Sequence, residues 1–310
     1  MKNIEITATG SYLPEEMVDN NHLANKLNIT EQFIYKRTGI KKRYYAKNET
    51  IEQLAIKSVY DLIKKYPKIN IKEIDMIVVA TTSTDLLMPG ISYKVQEEFN
   101  INNCMCFDIL AGCAGYINAI DIARSYIAIG KVNQVLVIGV DILSKYTDKK
   151  DMDTSIILSD GAGAVIVHKT EKDKQYESNI ISEGQKGSLL TNKTNEKIKM
   201  HGKEVYKYAV TETVNNIKKL LKESNVDINE IKYIIPHQSN IKIINSIANR
   251  LNINSKKLYT NIEQVGNTFC ASIPIAINEM FEKKLLKNGD RIILLGYGGG
   301  LNTGSILMEV

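Results

Sequence analysis

Short unbroken runs of β-branched and aliphatic residues recur along this chain, each set against a longer segment with helical spacing. That alternation restricts the fold more than any other feature. "IDMIVVATTS" (74–83), "CMCFDIL" (104–110), "QVLVIGVD" (134–141), "GAGAVIVHKT" (161–170), "IKYIIP" (231–236), "RIILLGYGGG" (291–300) and "GSILMEV" (304–310) read as strands. Continuous apolar runs, rather than alternating ones, mark strands covered on both faces. "PGISYKVQEEFN" (89–100) reads as a helix with Pro89 near its start, and "AGYINAIDIARSYIAIG" (114–130) as one stopping at Gly130. "EVYKYAVTETVNNIKKLLKES" (204–224) puts Tyr206, Val210, Val214, Ile217 and Leu221 on one face, and "IKIINSIANRLN" (241–252) is a further helix. The order predicts an α/β protein with mostly parallel sheets packed between helices. The polar stretch "TEKDKQYESN" (170–179) is the best division. Similar element order on either side suggests two pseudo-repeated halves, 1–170 and 171–310, packed without a linker. A chain of 310 residues suits two such halves of roughly 150 each.

Composition narrows the function classes. No apolar run approaches the ~18 residues that span a bilayer, and the start shows no long apolar signal segment, so a cytoplasmic protein is expected. A net charge of +5, spread over scattered lysines with no basic stripe interleaved with aromatics, argues against nucleic acid as a partner. Four cysteines (Cys104, Cys106, Cys113, Cys270) without a CxxC or a close Cys/His pair suggest neither a disulfide framework nor a metal site.

One cysteine stands apart. In "FDILAGCAGYINAI" (107–120), Cys113 lies between small residues where a strand gives way to a helix. Free N–H groups and the helix dipole at such a turn favour a thiolate. Gly112, Ala114 and Gly115 leave room for a carbonyl carbon to reach the sulfur, and the Cys113 N–H is placed to donate to an oxyanion. "IIPHQSN" (234–240) sets His237 after a strand and before a helix, where open α/β sheets place their sites and where imidazole tends to stay neutral. "VGNTFCASIPIAI" (265–277) sets Asn267 in a turn before another helix, and "LLGYGGGLNTG" (294–304) brings three glycines off a strand. Those glycines lead into a strand rather than a helix, which excludes a dinucleotide loop. Each stretch alone also fits a core cysteine, a structural histidine or an ordinary cap.

Taken together, Cys113 in "AGCAGY", His237 in "PHQSN", Asn267 in "GNT" and the terminal "GYGGG" closely resemble β-ketoacyl-ACP synthase III of the thiolase superfamily. "TGSYLP" (9–14), "RTGIKKR" (37–43), "IVVATTS" (77–83) and "DGAGA" (160–164) extend the likeness over nearly the whole chain. The resemblance implies a five-layered αβαβα fold of two duplicated halves, a homodimer, and a decarboxylative Claisen condensation that initiates fatty acid synthesis. It makes Cys113 the acyl carrier, charged from acyl-CoA. His237 and Asn267 become the donors that activate malonyl-ACP, and the N–H groups of Cys113 and Gly299 form the oxyanion hole. It implies no metal and no redox cofactor.

The family pattern also assigns coenzyme A to Phe33, Arg37, Met152, Gly202, Asn240 and Lys242, the acyl pocket to Met88, Tyr206 and Tyr297, and the carrier-protein surface to Lys207, Lys242 and Arg250. Several of these depart from the family's usual residues. Phe33 stands where tryptophan is common, Met152 and Lys242 where arginines are, and Tyr297 where phenylalanine is. Lysine does not replace an arginine that grips phosphate bidentately. Met88 would line the partner subunit's pocket, where phenylalanine is frequent, and would admit a longer or branched acyl group. The segment 187–204, which borders the entrance, is shorter than usual. These departures leave room for a specialised member that primes a secondary-metabolite pathway or passes its acyl group to another acceptor.

Overall fold

The computed structural model describes residues 3–193 and 196–310. Two mixed sheets form its frame. The first runs in the order Asn3–Tyr12, Gly161–Thr170, Gln134–Asp141, Met76–Ala80, Met105–Ile109. The second runs Tyr176–Ser182, Asn302–Glu309, Arg291–Gly298, Ile231–Pro236. Read from those ends, the sheets share one topology. Two antiparallel pairings come first and parallel pairing follows. A single parallel bridge from Ile234 to Leu258 stands in the second sheet where the fifth strand stands in the first. The sheets are therefore mixed rather than mostly parallel. The tight glycine turn between Arg291–Gly298 and Asn302–Glu309 can join only antiparallel neighbours.

Three apolar clusters account for five layers. The middle one takes Met76, Val78, Val135, Val137, Val165 and Val167 from one sheet and Ile235, Ile292, Leu294 and Ile306 from the other. Helices Gly115–Ala128 and Ser272–Glu282 lie between them. The opposite faces of the same strands, through Ile77, Val79, Leu136 and Ile138, pack on helices Ile51–Lys65 and Ile91–Glu98. Ile234, Ile293, Leu295 and Leu307 pack on Gly202–Glu223 and Ile241–Leu251. Neighbouring strand residues thus point into different cores, which is why the runs show no polar alternation.

On the shared face of helix Gly202–Glu223, Val210, Val214, Ile217 and Leu221 are buried, but Tyr206 lies in its first turns and is exposed. Tyr176–Ser182 starts inside the polar stretch 170–179, so the first sheet is built wholly from residues up to 170 and the second wholly from those beyond 175. Among the described residues, no helix is long and apolar enough to cross a membrane.

Candidate active site

Cys113 sits in a single 3-10 turn, Gly112–Ala114, between strand Met105–Ile109 and helix Gly115–Ala128. Gly112 has a φ of 58°, and a Cβ there would stand 2.1 Å from the Gly299 carbonyl oxygen. A Cβ on Gly298 would stand 2.9 Å from the Cys113 sulfur. The glycines are thus required less for substrate access than for interlocking two loops, one from each sheet. This interlock sets the backbone of Gly299 and Cys113 beside the Cys113 sulfur, where their N–H groups pull its pKa down.

The expectation of a thiolate is corrected here. The thiol is buried, and that burial, followed by the Asp141 carboxylate, drives its pKa up; the two N–H groups pull it down only in part. The turn-level argument considered the helix end and missed the desolvation. With its pKa raised, Cys113 rests as a thiol.

His237 continues strand Ile231–Pro236, its N–H donating to the Leu295 carbonyl at 2.7 Å. Its Nδ1 lies 2.7 Å from the Ser272 hydroxyl, at the start of helix Ser272–Glu282. The ring is 2% exposed, and burial depresses its pKa to about 3, so the imidazole is neutral. If Ser272 donates to Nδ1, the proton sits on Nε2, leaving an N–H donor for a ligand.

Asn267 is held by a backbone bridge to the opposite half: its N–H donates to Ile157 O at 3.0 Å and its carbonyl accepts from Ser159 N at 2.9 Å. Its Oδ1 accepts the Phe269 N–H at 3.1 Å, which fixes the amide and leaves Nδ2 as the free donor. Behind the site, the buried Asp141 carboxylate accepts from Thr82 N, the Ser83 hydroxyl and Cys270 N, tying the turn after Met76–Ala80 to the Asn267 loop.

Cys113, His237 and Asn267 line one narrow cavity of about 180 Å³. Tyr297, Tyr206, Gly202, Asn240 and Arg37 line it as well. Phe33, Met152 and Lys242 do not; they stand exposed at its rim, Phe33 with the Arg37 guanidinium 6.0 Å from its ring. Arg37 is already paired, to Asp153 at 2.6 Å, and Asn240 Nδ2 donates to the Arg37 carbonyl at 3.2 Å. On its other side Cys113 opens on a second cavity of about 230 Å³ lined by Thr82, Leu110, Leu190, Ile198 and Phe269. Met88 is 90% exposed and borders neither. Lys207 and Lys242 are exposed, and so is Arg250, which donates to the Thr211 hydroxyl. Within the entrance segment 187–204, residues 194 and 195 lie outside the described residues.

Sequence reasoning did not find Ser272, Asp153, or the hydroxyl pair Tyr297–Ser239. In that pair the two oxygens are 2.8 Å apart, and Tyr297 also donates to the His237 carbonyl at 3.2 Å. The polar replacement at Tyr297 was visible as a departure, and Ser239 is its matching donor, since the Tyr297 proton goes to the His237 carbonyl. Nothing in the spacing of Ser272 or Asp153 marks them.

The comparisons fit this geometry. Residues 107–184 match the family described as 3-oxoacyl-[acyl-carrier-protein (ACP)] synthase III, and residues 221–310 match its C-terminal family. A β-ketoacyl-[acyl-carrier-protein] synthase III of Clostridium novyi strain NT is 38% identical over 100% of this chain and 99% of its own length. The chain belongs to the β-ketoacyl-ACP synthase III family. A relative of the same name from Clostridium botulinum strain 657 is 40% identical over 99% of this chain and 98% of its own. The crystal structure of 3-oxoacyl-[acyl-carrier-protein] synthase III from Aquifex aeolicus VF5 superimposes with a TM-score of 0.95 at 36% identity, covering 100% of both chains. The thiolase-like five-layered fold is therefore that of the family, and the synthase is an acyltransferase-type condensing enzyme, of the kind that initiates fatty acid synthesis.

Proposed function

We propose that Cys113 carries the acyl group, that acyl-CoA delivers it, and that malonyl-ACP receives it. The observation that supports this most is the convergence on Cys113 of separately positioned donors: the Gly299 and Cys113 N–H groups, His237 Nε2 and Asn267 Nδ2. The Cys113 sulfur attacks the thioester carbonyl of acyl-CoA. The sulfur–carbon bond to coenzyme A breaks, and the thiol proton leaves with the departing thiolate, giving acyl-Cys113 and free CoA. Malonyl-ACP then enters. Its thioester carbonyl accepts from His237 and Asn267, so the enolate formed as carbon dioxide leaves is stabilised by two preorganised donors. The enolate carbon attacks acyl-Cys113, whose oxyanion accepts from Gly299 and Cys113 N–H. That attack forms the carbon–carbon bond; collapse of the oxyanion breaks the carbon–sulfur bond to Cys113 and frees the thiolate, which recovers a proton. The product is 3-oxoacyl-ACP. No step transfers electrons, and the enolate's charge is met by neutral donors, so the reaction needs no metal and no redox cofactor.

The remaining assignments follow. Arg37, Gly202 and Asn240, in the cavity mouth, with Phe33, Met152 and Lys242 at its rim, meet coenzyme A. Tyr206 and Tyr297 bound the chamber. Lys207, Lys242 and Arg250 project from helices that begin at the mouth and suit an acidic carrier protein. Among the described residues the strand Met105–Ile109 pairs on one side only, and Leu87, Met88 and Leu110 are 97%, 90% and 72% exposed, which supports a homodimer closing that edge. In such a dimer Met88 reaches the partner's acyl chamber. The halves divide at 170/171, the first bringing Cys113 and the second His237 and Asn267, and the enzyme works in the cytoplasm.

Intact-protein mass spectrometry with a panel of acyl-CoAs tests the reading. One acyl adduct is expected on the wild type and none on Cys113→Ala. Malonyl-ACP should then discharge it with formation of 3-oxoacyl-ACP. An adduct that survives malonyl-ACP, or one that persists in Cys113→Ala, sinks the assignment.

A further inference from the structure

A second cavity, of about 420 Å³, lies outside the chamber described above, within the roughly 300–1,000 Å³ of small-molecule sites. Its floor is apolar: Val18, Leu23 and Leu27, members of a small core cluster with Ile34 and Ile156. Its walls are rich in cations and donors. Lys26, Lys47, Lys145, Lys149 and His22 face a single carboxylate, Glu16. Glu16 is held by Lys47 at 3.0 Å, and Lys145 by Asp85 at 2.7 Å. Lys26 and Lys149 have no ion pair among the described residues.

Two further observations point to an occupant. Ser155, 3% exposed, is among the lining residues, and its hydroxyl oxygen is buried without a hydrogen-bond partner among the described residues. A buried hydroxyl left this way is costly unless something fills the site. Behind Val18, Arg43 is fully buried; among the described residues it donates to the Val18 and Ile156 carbonyls and the Asn20 amide oxygen and meets no carboxylate within hydrogen-bond reach. The cavity is therefore apolar at the bottom, positive above and behind, and short of an acceptor at Ser155.

We propose that this cavity is a binding site for a small amphiphilic anion, a carboxylate on a short alkyl chain. The chain lies on Val18, Leu23 and Leu27, and the carboxylate accepts from Ser155 and from Lys26 or Lys149. The site is distinct from the catalytic chamber yet shares a wall with it. Along one segment, Ser155 faces this cavity, while Asp153, Thr154, Ile157 and Leu158 face the other.

Calorimetric titration with octanoate tests the proposal, with octanol and acetate as the neutral and chainless probes. Octanoate is expected to bind the wild type at least tenfold more tightly than either probe. The double charge reversal Lys26→Glu/Lys149→Glu should weaken it at least tenfold and leave condensation turnover unchanged. Ser155→Ala, which keeps the packing, should weaken it several-fold and serves alone if the double variant does not fold. Equal octanoate binding by wild type and variants overturns the proposal. So does loss of octanoate binding when Cys113 is acylated, since that places the probe in the catalytic chamber.

Discussion

Ser272→Ala separates the two half-reactions. Ser272 touches neither the sulfur nor, in the proposed mechanism, the substrate; it holds His237 Nδ1 at 2.7 Å inside a site where the ring is 2% exposed. Without the hydroxyl, Nδ1 is buried and unpaired, and the tautomer with its proton on Nε2 loses its support. Leaving a buried polar atom unsatisfied costs about 1–3 kcal/mol. If that loss falls on the transition state for enolate formation, where Nε2–H must donate, each ~1.4 kcal/mol is tenfold in rate. Condensation should therefore fall by roughly 5- to 150-fold. In the proposed mechanism charging of Cys113 depends on the Gly299 and Cys113 N–H groups rather than on Ser272, and should change by less than about threefold. Stopped acylation assays read by intact mass give the first rate, and release of carbon dioxide from malonyl-ACP gives the second. An equal fall in both rates would refute the tautomer argument and make Ser272 a packing residue of the chamber. No fall in either would show that the ring is oriented by its edge contacts with Phe269 and Tyr297 alone.

Asp153→Asn should free Arg37 for the phosphates of coenzyme A. Both side chains are 49% exposed, and an ion pair so exposed is worth only about 0–1 kcal/mol, so KM for acyl-CoA should drop by roughly two- to fivefold with kcat and stability little changed. A raised KM would show that Asp153 organises the mouth rather than competing with the substrate. For pH, His237 has a folded pKa near 3 against an ordinary 6.5. Between those values the unfolded chain binds a proton that the folded chain does not, so the histidine's contribution to stability is lost as pH falls from about 6.5 toward 3. Condensation should show no limb from His237 protonation between about pH 5 and 8. A limb near 6.5 that vanishes in His237→Gln would contradict the burial of the ring.

The core strands were legible because burial on both faces leaves a continuous apolar run, and "QVLVIGVD" and "GAGAVIVHKT" are strands over the residues expected. Of the edge strands, Met105–Ile109 and Ile231–Pro236 were expected, but Asn3–Tyr12 and Tyr176–Ser182 were not. Tyr176–Ser182 opens with the polar run Glu177–Asn179, so its start was read as part of a polar boundary. That Cys113, His237 and Asn267 belong together was legible from motif and order, and the structure brings all three to one cavity. Their environment was not, because desolvation is set by residues distant in sequence. Cys113 is sealed by Gly298 and Gly299, 185 residues and more downstream, and charged against by Asp141.

That sealing also bears on how the nucleophile works. A thiol raised by burial cannot rely on a standing thiolate, and the neutral His237 is a poor proton acceptor. In the proposed mechanism the Gly299 and Cys113 N–H groups beside the sulfur favour the thiolate at the moment it forms and then serve the oxyanion that replaces it. On that reading the same two donors answer negative charge in both half-reactions, first on sulfur and then on oxygen, and the glycine interlock of the two halves is itself part of the chemistry. Widening it should cost both half-reactions together. Gly112→Ala, whose Cβ would meet the Gly299 carbonyl at 2.1 Å, should lower acylation and condensation in parallel, whereas Ser272→Ala lowers only the second.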